Sequence, residues 1–152
     1  MNRFNIRVYG ILIKDGCLLV TDEIRYDIKM TKLPGGGLEF GEGIEDALKR
    51  EWIEELEAEI EVGQIVYVNP FLQVSMFRET DQVICMYFLV RAQGELKGEF
   101  SEKAWDFEDK QGDQQLFRWI PVSELSEDSF TFPIDKAMIK EFLGSPYLKG
   151  IS

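Results

Sequence analysis

Apolar residues occupy every second position through Phe4, Ile6 and Val8, against Asn5, Arg7 and Tyr9, and the run continues through Ile11 to Ile13. That alternation predicts a strand whose far end is increasingly buried. Asp15-Gly16 supplies hairpin-turn chemistry leading into a second apolar run, Cys17 to Val20. Residues 21–32 are polar and mixed, which predicts a loop holding the cations Arg25, Lys29 and Lys32. Ile44, Ala47, Leu48 and Trp52 then recur at three and four residues, the period of a helix with one buried stripe.

Beyond that helix Ile60 and Val62 alternate with Glu59 and Glu61, and Ile65-Val66-Tyr67-Val68 reads as a further strand ending before Pro70. Val83 to Val90 is apolar throughout, as expected of a central strand covered on both faces. Residues 93–115 predict a long acidic loop in which Phe100, Trp105 and Phe107 stand isolated; Trp105 and Phe107 would cap the core or stack on a planar ring. Leu116 to Ile120 forms a late strand, and Pro121 to Leu125 a short helical turn. Ile134, Ala137, Met138 and Phe142 mark a final helix, stopped by Gly144 and followed by Pro146. The order specifies an α/β class, a mixed sheet between helical layers. With 152 residues and no internal repeat or low-complexity linker, a single domain over 1–152 is expected.

Composition narrows the chemistry. The chain has no histidine, which excludes Ser-His-Asp and Cys-His mechanisms and any histidine-bound metal. A formal charge of −11 disfavours RNA and DNA, whose phosphates it repels; a small nucleotide that carries its own Mg²⁺ is less affected. Cys17 and Cys85 lie in apolar, strand-like stretches and read as core. The longest apolar run is too short for a bilayer, and Met1 to Asn5 lacks the core of a signal peptide, so a cytoplasmic protein with no membrane partner is expected; a homodimer is left open.

The candidate chemistry lies on the first helix and the Gly-rich segment before it. Glu51, Glu54 and Glu55 stand at i, i+3 and i+4, which gathers their carboxylates on adjoining parts of one surface, where they repel. A bound cation reverses that sign, and carboxylates without histidine or thiolate suit Mg²⁺ or Mn²⁺. A solvated acidic face is the alternative. The preceding stretch Pro34-Gly35-Gly36-Gly37 makes the pattern specific: Glu42 stands six residues after Gly36, followed by Arg50-Glu51 and Glu54-Glu55.

This pattern resembles the signature of the Nudix hydrolase family: a glycine, five residues, a glutamate, seven residues, Arg-Glu, an apolar residue, any residue, and Glu-Glu. The motif covers residues 34–56, and the element order matches a Nudix-type α/β/α sandwich with a mixed central sheet. Two positions depart from it. The usual glycine near the end of the motif is Glu57, where a left-handed helix exit would cost roughly 1 kcal/mol, and the apolar residue after Arg-Glu is the large Trp52.

The resemblance implies hydrolysis of a nucleoside diphosphate linked to another moiety, with a nucleoside triphosphate or nucleotide sugar as the expected substrate and Mg²⁺ as cofactor, Mn²⁺ substituting. It assigns Glu51, Glu54, Glu55 and the carbonyl of Gly35 as metal ligands, with Asp113 as a further carboxylate from the late loop. Arg50 would hold Glu54, and Glu42 would pair with Arg50. Glu51, Glu54 and Asp113 remain alternative bases, and Arg25 is a candidate phosphate contact. The marks of ADP-ribose, diadenosine polyphosphate and coenzyme A enzymes are absent at their customary spacings. A nucleotide-sensing module without catalysis, typical of Nudix domains with eroded motifs, is the competing class; isomerase chemistry on this fold would need a cysteine in a context that Cys17 and Cys85 lack.

Overall fold

The structure is a computed structural model that describes residues 1–108 and 112–148. Its strands are β1 (Arg3–Ile11), β2 (Ile13–Lys14), β3 (Cys17–Arg25), β4 (Ile28–Lys32), β5 (Gly35–Gly37), β6 (Glu59–Val68), β7 (Asp81–Gln93) and β8 (Gln114–Pro121). Its α-helices are α1 (Ile44–Leu56) and α2 (Pro133–Leu143).

The strands form two four-stranded sheets rather than one. In the first, ordered β5-β1-β7-β6, β1 and β7 run parallel and the other pairs antiparallel. In the second, β3 pairs with β8 along one edge and with β2 and then β4 along the other.

Strand alternation builds a core on each face of the first sheet. Val8 and Leu12 join Phe88 and Val90 under the α1 residues Ala47, Leu48, Trp52 and Leu56. Tyr9, Ile11, Cys85 and Tyr87 point the other way, against Met138, Ile139 and Phe142 of α2. This is why β7 reads as apolar without alternation: its pleat sends residues into both layers. The large Trp52 fits because β1 presents Gly10 beneath it; a Cβ there would lie 2.8 Å from the indole.

Residues 21–32 depart from expectation. They are not a loop but the end of β3 and all of β4, joined by a tight hairpin at Tyr26 and Asp27, both with positive φ. Their polarity concealed burial because each acid has a partner. Asp22 is fully buried and receives hydrogen bonds from Arg118 at 2.7 and 3.0 Å and from the Thr31 hydroxyl at 2.6 Å. Opposite charge and hydrogen bonds offset the desolvation that would otherwise exclude such residues from a sheet.

Glu57 terminates α1 in the left-handed region at φ 48° and ψ 34°, donating its N–H back to Ile53. The helix therefore leaves through the turn a glycine would favour, with a side chain in its place. In the long acidic segment, Phe107 is buried and the Trp105 indole donates to the Met30 carbonyl of β4 at 3.1 Å, which ties Trp105 to the second sheet.

Candidate active site

The Gly-rich segment and α1 meet at Arg50. Its Nη2 lies 2.7 Å from Glu42 Oε1 and its Nε 2.9 Å from Oε2, so a planar guanidinium forks onto a planar carboxylate. Nη2 also donates to the Gly37 carbonyl at 3.1 Å, while Nη1 lies 3.0 Å from Glu51 and 3.3 Å from Glu54. Glu42 in turn accepts from the Glu39 N–H at 2.9 Å. The hydrogen bonds from Arg50, and secondly from Glu39, hold the Glu42 carboxyl down at about 2.

The glycines leave room for these groups. A Cβ on Gly36 would lie 2.4 Å from the Glu51 carboxylate, so that carboxylate occupies the space a side chain would fill. Gly35 pairs with Tyr9 in β5 at φ +152°, and a Cβ there would meet the Val8 carbonyl at 2.0 Å. The close approach of backbone to backbone accounts for glycine at this position.

Glu55 differs from its neighbours. Burial pushes its carboxyl up to about 7, Lys32 pulls the other way, and the negative charges of Glu23 and Glu51 push further upward. Its Oε2 is buried without a hydrogen-bond partner. Glu54 stays largely exposed.

Among the described residues, no three acidic or cysteine side chains already stand as a metal cage. Arg50 draws Glu51 and Glu54 onto itself, and its positive charge offsets their mutual repulsion. Asp113 is exposed immediately before β8, and the β8 residue that reaches Glu55 is Gln115. The donors nevertheless suit a hard cation: all are oxygens, one is buried and unpaired, and they sit on adjoining turns of a single helix.

A cleft of about 720 Å³, its mouth included, opens between β1, β4, residues 73–77 and the start of α2, and its Arg7 and Lys32 interact electrostatically with Glu51 and Glu55. Three cations line it, Arg7, Arg25 and Lys32, together with Tyr9, Phe77 and Asp135. Arg7 is 5.7 Å from the Tyr9 ring centroid and donates to its hydroxyl at 2.6 Å. Lys32 sits 6.0 Å from the same centroid. At the floor, the Tyr87 hydroxyl donates to Asp135 Oδ1; burial raises that carboxyl to about 6, against the pull of Tyr87, Lys32 and Arg7.

Of the residues proposed from sequence, Glu42, Arg50, Glu51 and Glu54 share one bonded network, Glu55 adjoins it, and Arg25 stands in the cleft on a 3.3 Å ion pair with Glu23. Sequence reasoning missed Arg7, Tyr9, Glu23 and Asp135. Asp135 left a readable trace, since it falls on the apolar stripe of α2 with Met138, Ile139 and Phe142. Glu23 left none, because consecutive acids resemble a solvated loop.

A NUDIX domain model matches residues 1–142. No curated protein sequence matches the chain significantly. Among solved structures, the solution structure of the E. coli ORF135 protein is similar with a TM-score of 0.72 at 20% identity, covering 99% of this chain and 96% of that one. The MutT NUDIX hydrolase of Burkholderia pseudomallei follows at 0.65 and 18%, covering 93% and 98%. An ADP-ribose pyrophosphatase of Streptococcus suis is similar at 0.56 and 15%, covering 91% and 89%. At these identities the likeness speaks for the fold.

Proposed function

The chain belongs to the Nudix hydrolase family, and from that premise we propose that it is a metal-dependent pyrophosphohydrolase cleaving the diphosphate linkage of a nucleoside triphosphate or nucleotide sugar. The observation that carries this reading is the pairing of opposites. A carboxylate cluster in which Glu55 Oε2 is buried without a hydrogen-bond partner acts on Arg7 and Lys32, which line a cleft together with Arg25. A cation would answer the first and the phosphates of a nucleotide the second.

Glu51, Glu54, Glu55 and the Gly35 carbonyl would hold Mg²⁺ or Mn²⁺, with Asp113, exposed just before β8, as a further carboxylate. Such an ion neutralises charge developing on phosphate oxygens and favours ionisation of water. Arg50, with Glu42 behind it, orients Glu51 and Glu54. Arg7, Arg25 and Lys32 place the phosphate chain. Tyr9 and Phe77 flank the space for a planar ring, and the ionised Asp135 accepts hydrogen bonds from its N–H groups.

The test is phosphate release from nucleoside triphosphates, dinucleotides and nucleotide sugars, with and without Mg²⁺ or Mn²⁺, including phosphatase treatment of organic products. Metal-dependent turnover of one class, reduced roughly 10²-fold or more in folded Glu54→Gln, is the expected result. Tight binding of one compound with no turnover of any would replace the hydrolase by a nucleotide-sensing module.

A further inference from the structure

We propose that Glu23, on β3, is a further ligand of the divalent cation held at this site, sharing it with Glu55. The inference rests on the metal-dependent reading above and adds to it a residue outside the Gly-rich segment and its helix.

Glu23 is only 2% exposed. Its Oε1 lies 3.3 Å from Arg25 Nε and its Oε2 3.1 Å from Lys32 Nζ, yet Oε2 accepts no properly directed hydrogen bond. The Glu55 Oε2, arriving from α1, is in the same condition. Two elements therefore each deliver a buried carboxylate oxygen that accepts no hydrogen bond.

The sheet register places Glu23 beside a residue that bonds to Glu55. Gln115 stands directly opposite Glu23 in the β3–β8 ladder, so the two side chains share one face. Gln115 bonds to Glu55, and its amide also donates to the Thr21 hydroxyl at 3.0 Å, two residues from Glu23 on that same face. Glu23 is among the charges that act on Glu55.

Lys32 lies near both acids but supplies one positive charge for two buried carboxylates, and Arg25 is more than half exposed. A divalent cation held by both residues would restore the balance. Lone pairs on two hard oxygens from separate elements suit Mg²⁺ or Mn²⁺.

The experiment is a titration of Mn²⁺ against the wild-type protein, Glu23→Gln and Glu54→Gln, following free Mn²⁺ by electron paramagnetic resonance and fold by near-ultraviolet circular dichroism. Folded Glu23→Gln should bind Mn²⁺ at least about 10-fold more weakly than the wild type, the scale on which removing one carboxylate of a metal site acts. Unchanged affinity in folded Glu23→Gln, with affinity lost in Glu54→Gln, overturns the role of Glu23 and leaves the metal site standing. Absence of Mn²⁺ binding by the wild type overturns both. Should Glu23→Gln fail to fold, anomalous scattering from wild-type crystals grown with Mn²⁺ decides: a Glu23 oxygen within about 2.3 Å of the ion supports the role, and one beyond about 4 Å removes it.

Discussion

The Arg50 guanidinium forks onto both oxygens of Glu42, at 2.7 and 2.9 Å, and with its remaining donors reaches the Gly37 carbonyl and Glu51. One side chain thereby ties the loop before α1, the strand β5 and the acidic face of α1 into a single unit. The sign of its pH dependence follows from Glu42. A carboxyl held down at about 2 contributes stability above its ordinary value of 4.5 and loses it as pH falls through about 2, so the Glu42 carboxylate stays charged opposite Arg50 near neutrality.

The fork itself is testable. Arg50→Lys keeps the charge but offers a single ammonium that cannot engage two oxygens in plane while also bonding Gly37 and Glu51. We expect a folded protein whose kcat falls about 10- to 100-fold, because the metal-site carboxylates lose their orientation rather than their identity. Steady-state kinetics beside circular dichroism checks this; a kcat equal to wild type would reduce the network to a surface ion pair.

The two glycines ahead of the helix separate fold from site. In Gly35→Ala the new Cβ meets backbone, the Val8 carbonyl at 2.0 Å, from a positive φ, and neither partner can yield. A loss of roughly 3 kcal/mol or more in urea unfolding is expected. In Gly36→Ala the obstacle is the end of a flexible side chain, the Glu51 carboxylate at 2.4 Å. Glu51 swings aside, so folding survives while Mn²⁺ affinity drops about 10-fold or more. Equal effects of both substitutions on stability would contradict the distinction.

What could be read from sequence follows from how local each signal is. The α1 cluster was legible because helix periodicity places Glu51, Glu54 and Glu55 together whatever the rest of the chain does. The core layers were legible for the same reason, since β7 and α2 advertise their buried positions through apolar residues. The sheets were less so. Asp22 and Glu23 read as loop residues because their partners Arg118 and Lys32 are distant in sequence or across a hairpin, and pairing appears only after folding. The cleft is assembled from β1, β4, residues 73–77 and α2, and no local pattern announces Arg7 and Asp135 as neighbours of one space.

Glu57 offers a stability test that leaves the site alone. Its left-handed backbone, φ 48°, is a conformation in which a Cβ is strained and glycine is not. Glu57→Gly should therefore stabilise the protein by up to about 1 kcal/mol, the greater freedom of glycine in the unfolded chain reducing the gain. A urea midpoint lower than wild type at equal slope would show that the Glu57 side chain contributes more than its backbone strain costs.

Asp135 carries the converse relation between site and stability. Its carboxyl, raised to about 6 by burial, protonates more readily in the folded protein than at the ordinary value of 3.8. Below about pH 4 the acid is neutral in both states and costs nothing. As pH rises the unfolded chain ionises first, so folding loses stability up to about pH 6 and holds a constant deficit above it, on the order of 2 to 3 kcal/mol. Asp135→Asn cannot ionise and keeps an acceptor for the Tyr87 hydroxyl. Its stability relative to wild type should therefore improve between pH 4 and pH 8 by roughly that amount in urea unfolding, whereas a difference independent of pH would mean that the carboxyl titrates normally. A group that weakens the fold at neutral pH, on the floor of a cleft facing Arg7 and Lys32, is explained if the ionised form binds substrate. The same variant should then raise KM for the preferred nucleotide more than it lowers kcat, and an unchanged KM would leave the buried charge without a role in binding.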